Sequence, residues 1–139
     1  MEKRMLIVVV ALAMSAGVAQ AQTTVQKAPI KQTSASNPKQ MFDSYCAVCH
    51  GKDGKGNGPA AKALTKVPAD LTRISARNGG AFPDVHVQRF IEGLDEVPAH
   101  GTRDMPMWGD LFRSLNNDPA TAQLRVAALT GYIKAMQQP

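Results

Sequence analysis

The sequence predicts an all-α protein, a small helical domain with no sheet. Three observations carry that expectation. Apolar residues recur at helical spacing in three separate stretches, around Met41 to Val48, Val87 to Leu94 and Leu124 to Met136. Two of those stretches open on a capping residue followed by proline, Asn37-Pro38 and Asp118-Pro119. No segment shows the strict apolar-polar alternation of a half-buried strand.

The first element is a leader. Glu2-Lys3-Arg4 is a charged start, Met5 to Val18 an apolar run, and Ala19-Gln20-Ala21 a small-x-small cleavage pattern. The apolar run is shorter than the roughly 20 residues of a membrane span. A signal peptide over 1–21, cleaved to leave no membrane span, is therefore expected. The mature chain, 22–139, has 118 residues, enough for one core. Residues 22–36 are rich in Thr, Ser, Gln and Lys and read as a flexible arm. The folded domain is expected over 37–139.

Its first helix starts at Asn37, with Pro38 at the first helical position and Gln40 at the third. Met41, Phe42, Tyr45 and Val48 share its inner face. Gly51 to Pro59 holds four glycines and a proline and is a loop. It is no phosphate cradle, because the Gly-Lys-Ser/Thr ending is missing. Lys52, Lys55, Lys62 and Lys66 stud this region, either as a solvated rim or as a positive collar. A short turn is expected at Ala60 to Leu64. Asp84 is expected to cap a helix through Leu94, with Val87, Phe90, Ile91 and Leu94 on one side. In the last helix Leu124, Ala128, Tyr132 and Met136 line the inner face, joined by Leu129 and Ile133.

The chemistry lies in Cys46-Ala47-Val48-Cys49-His50. Two thiols three positions apart on one helical turn can each add to a vinyl group of one porphyrin, and the adjoining histidine then comes beneath the iron. The chain has no other cysteine, so one covalently bound haem is the expected cofactor. A disulfide, a redox-active dithiol and half of a zinc site are the competing readings. No strand-helix alternation supports the second, and the third lacks an ordinary ligand set. Seven aromatic residues make a thin core, which a porphyrin would complete. Covalent haem attachment also agrees with export, and the expected location is the periplasm.

A sixth iron ligand decides function. Met41 and Met136 lie on helix packing faces, leaving Met105 and Met107 in Arg103-Asp104-Met105-Pro106-Met107-Trp108-Gly109. Pro106 holds Met105 away from helical geometry, so Met105 is favoured over Met107. His86 and His100 are the rivals. An open sixth position would make a haem enzyme or a gas-binding protein instead.

This order of parts resembles the class I c-type cytochromes, over about Asn37 to Gln137. The resemblance implies a small helical fold wrapped around the haem and single-electron transfer between redox proteins, with no catalytic residue. It implies that Phe42 packs on Tyr132 where the first and last helices cross. It implies that Pro59 supplies the carbonyl that orients His50, and that Trp108 and Arg103 contact the haem propionates. Pro38 stands where many members carry a helix glycine, so Gly131 is expected to provide the clearance between helices. The net charge is +5, or +4 without the leader. Acidic docking surfaces on redox partners suit that charge, and nucleic acid is not implied.

Overall fold

In a computed structural model the chain is described over residues 30–95 and 105–139. The expected signal peptide, residues 22–29 of the arm, and His100 and Arg103 lie outside these residues. Among the described residues there is no strand, and no helix is long and apolar enough to cross a membrane.

The first helical stretch has three parts: α1 (Pro38–Met41), a π-helical turn (Phe42–Cys46) and α2 (Ala47–His50). Asn37 caps it as expected, its Oδ1 accepting from the Gln40 amide at 2.9 Å. In the π turn the Ala47 amide reaches back five residues to the Phe42 carbonyl. That wider turn slips the phase of the helix by part of a residue. Met41, Phe42, Tyr45 and Ala47 are buried, but Val48, expected inside, is turned out and 48 % exposed.

α3 (Ile74–Arg77) is a single turn following a 3₁₀ turn, Leu71–Arg73. α4 spans Asp84–Glu92; its cap position is Pro83, and Asp84 sits one residue inside, ion-paired to Lys134 at 2.9 Å. α5 is Trp108–Asn116 and α6 is Pro119–Ala135. Asp118 caps α6 as expected, accepting from the amides of Ala120 and Thr121. α6 is the spine of the fold and packs against α1, α4 and α5.

The buried face of α6 is Ala122, Arg125, Val126, Leu129, Thr130 and Ile133. A strict i+4 row drifts about 40° per step around a helix of about 100° per residue. The row starting at Leu124 therefore begins on the far side, and Leu124 is exposed. Gly131 lies on that far side too. A Cβ placed there would meet nothing within 4 Å, so Gly131 does not provide interhelical clearance. The expected ring pair does form at the α1–α6 crossing, with Phe42 and Tyr132 centroids 5.3 Å apart.

Residues 30–36, expected to belong to the flexible arm, are docked on the bundle. Thr33 is buried. Its hydroxyl meets the Tyr45 hydroxyl at 2.7 Å, and the Tyr45 hydroxyl donates to the Lys31 carbonyl at 2.6 Å. The polar side chains of this segment find partners inside the fold, which composition alone does not reveal.

Candidate haem site

An α-helix ends with four carbonyls that have no partner within the helix. In α2 every one of them is satisfied by the glycine loop. The amides of Gly51, Ala60, Gly58 and Gly56 donate to the carbonyls of Ala47, Val48, Cys49 and His50, at 2.9, 2.8, 3.0 and 2.7 Å. The glycines are what allow this approach. A Cβ on Gly58 would sit 2.5 Å from the Val48 carbonyl oxygen, and one on Gly56 would sit 2.2 Å from that of Pro68. The turn that carries Cys46, Cys49 and His50 is thus clamped along its whole end.

The loop holds a second segment in turn. Leu71 donates its amide to the Gly54 carbonyl at 2.7 Å. From the other side, Gln137 accepts from the Ser75 amide at 2.8 Å and donates to the Leu71 carbonyl at 2.7 Å. Between these clamps the Ala69 carbonyl accepts a hydrogen bond from His50 Nδ1 at 3.0 Å. A carbonyl can only accept, so the proton is on Nδ1 and the Nε2 lone pair is free. Burial pushes the His50 pKa down and so favours the neutral, ligand-competent ring, while the Ala69 hydrogen bond works the other way. The resemblance implied Pro59 in this orienting role. Pro59 instead is exposed, within the stretch that caps α2, and Ala69 provides the carbonyl.

Cys46 and Cys49 are free thiols. Burial, with a smaller contribution from Cys49, pushes the Cys46 thiol up to about 12. That is opposite to the lowered value of a reactive dithiol. Among the described residues no three His, Cys, Asp or Glu side chains converge as a metal site of protein ligands alone.

Cys46 and His50 open onto a cavity of about 350 Å³. Leu71, Ile74, Val87, Ile91 and Ile133 give it an aliphatic lining, and Phe90 and Trp108 add two rings. Met105 lines this same cavity. Met107 does not: it is 43 % exposed and packs against Gly93 at the end of α4. Trp108 belongs to an aromatic stack, 5.4 Å from Tyr45 and 5.7 Å from Phe112.

The polar lining comes from Arg77 and Asn78, which the sequence did not single out, and from His86, one of the two rival iron ligands. Arg77 and Asn78 lie on the cavity, and Arg77 also donates to the Asp70 carbonyl at 2.7 Å. His86 borders it as well, with Nδ1 2.9 Å from Asp95 Oδ2 and a largely exposed side chain. A cation at the edge of an apolar slot suits the acidic groups of a porphyrin. The one sequence signal for Arg77 was its place in a short basic turn, which reads equally as solvated surface.

The donor set therefore fits a covalently attached haem. Cys46 and Cys49 would form the thioethers, His50 and Met105 would ligate the iron, and Trp108 with the aliphatic lining would enclose the ring. Lys52, Lys55, Lys62 and Lys66 are all exposed.

Searches of curated proteins and of solved structures returned no match. The sequence model of the family described as Cytochrome c matches residues 35–136. That span contains every described element from α1 to α6, so the chain belongs to the cytochrome c family of haem-binding electron carriers.

Proposed function

We propose that this protein is an exported, monohaem electron carrier that passes single electrons between redox proteins in the periplasm by outer-sphere transfer. When bound, the haem supplies the one-electron iron couple. The observation that carries the reading is that Met105 and His50 line one cavity while the His50 ring is fixed through Nδ1. An imidazole and a thioether on the iron suit a carrier, because neither has to leave for an electron to pass. His50 holds its ring by the Ala69 carbonyl, and the aliphatic lining keeps water from the site. Exposed lysines around the glycine loop provide the positive surface that would steer acidic partners, as a free shuttle or as a subunit of a respiratory or dehydrogenase complex.

The test is the oxidised absorption spectrum of the purified mature protein beside Met105→Ala and Met107→Ala. Wild type and Met107→Ala are expected to show the far-red band of methionine-ligated haem, and Met105→Ala to lose it. Retention of the band in Met105→Ala overturns the ligand assignment. A high-spin wild type that binds carbon monoxide rapidly overturns the carrier reading. Cell fractionation and the mass of the mature chain, expected to begin at Gln22, test export separately.

A further inference from the structure

Arg125 is buried in the α6 face, 2 % exposed. One guanidinium nitrogen donates to the Thr33 carbonyl at 2.7 Å, and the other to the Thr33 hydroxyl at 3.1 Å, with Met41 Sδ at 3.6 Å. All these partners are neutral. Its Nε is buried without a hydrogen bond. Every other Lys or Arg among the described residues is exposed. A guanidinium does not lose its proton in a protein, so this charge is permanent. Burial of an ion without a counter-ion is costly, and a sequence that keeps one calls for an explanation.

The position suggests one. The guanidinium carbon lies 5.9 Å from the Phe112 ring centre. Phe112 stacks on Trp108 at 5.7 Å, and Trp108 lines the cavity. The charge therefore stands behind two aromatic rings, buried away from the surface. Water and salt screen the exposed lysines, but not this group.

We infer that Arg125 is a built-in interior cation that raises the reduction potential of the iron held by this domain. The inference rests on the electron-carrier reading. Reduction takes one electron from a donor protein and lowers the charge of the site by one; no bond forms and no proton moves. A fixed positive charge nearby favours the reduced form. Arg125 does not line the cavity and is buried from the surface, so its influence on the site would be through its field.

Spectroelectrochemical titration of the haem-loaded mature protein tests this in Arg125→Met, Arg125→Lys and Thr33→Asp. Arg125→Met removes the charge at similar volume, and its midpoint is expected to fall. In a redox buffer poised at the wild-type midpoint, its reduced-to-oxidised ratio drops severalfold. Arg125→Lys keeps the charge and stays near wild type. Thr33→Asp places a carboxylate against the guanidinium and also lowers the midpoint. An unchanged midpoint in Arg125→Met with the methionine band intact overturns the inference. So does an equal fall in Arg125→Lys, which would point to packing. If Arg125→Met does not hold haem, Thr33→Asp decides alone, and an unchanged or raised midpoint there is fatal. A wild type without a reversible one-electron couple defeats the carrier reading itself, whereas a reversible couple identical in all variants defeats only the role of Arg125.

Discussion

The His50 side and the Met105 side of the cavity are built by different forces. Around His50 the scaffold is hydrogen bonding: four loop amides on the end of α2, a carbonyl on the ring, and Gln137 gripping the segment that carries that carbonyl. Around Met105 and Trp108 it is apolar packing, with Tyr45, Trp108 and Phe112 stacked at 5.4 to 5.7 Å and Met107 against Gly93. The two ligand chemistries account for the difference. An imidazole offers its lone pair along one in-plane direction, so its ring has to be fixed by a directional partner. A thioether on three rotatable bonds has only to be brought to the right place.

Breaking the packed side should have the largest effect. Phe112 is fully buried and touches Tyr45, Trp108 and the Arg125 guanidinium. Phe112→Ala is expected to cost about 3–5 kcal/mol by denaturant unfolding, the range for deleting a buried aromatic ring. A loss below about 1 kcal/mol would mean that the stack does not support this side of the cavity.

The hydrogen-bonded side should yield next. A Cβ on Gly58 would lie 2.5 to 2.6 Å from the carbonyls of Val48 and Ala47 and from the carbonyl carbon of Cys49. These are backbone atoms and cannot swing aside. Gly58→Ala is expected to cost about 2–3 kcal/mol, as overpacking against a rigid neighbour does. The loop would have to lift from α2, so amide exchange at Gly58 and Ala60 should quicken while the tryptophan fluorescence of the stack stays native. Equal disturbance at both places would erase the distinction between the two sides.

The sequence was informative wherever side-chain type alone carries the information. Cys46, Cys49 and His50 announce themselves by spacing, Asn37 and Asp118 by capping chemistry, and Phe42 with Tyr132 by resemblance. It was silent where a backbone atom does the work. Ala69 orients His50 through its carbonyl, which every residue has, so nothing in the sequence marks it. It misled where helical phase matters, because one π turn sends Val48 outward and a strict i+4 row puts Leu124 on the solvent side. Arg125 went unnoticed for a related reason. An arginine among apolar residues reads as a solvated position until the arm bearing Thr33 closes over it.

The smallest effect, opposite in sign, belongs to a residue outside both sides. Gly131 lies on the exposed face of α6, and a Cβ there meets nothing within 4 Å. Alanine exceeds glycine by about 1 kcal/mol in a helix interior, mainly because it loses less backbone freedom on folding. Gly131→Ala is therefore expected to stabilise the protein by about 0.5–1 kcal/mol in thermal unfolding. α6 stands behind both sides: Ile133 faces the cavity, and Gln137 just beyond the helix holds the Ala69 segment. Stiffening this shared spine should raise the stability of the whole without moving the absorption spectrum or the potential. A destabilised Gly131→Ala would instead show that another element approaches this face closely, and would restore to Gly131 the clearance role that the open space denies it.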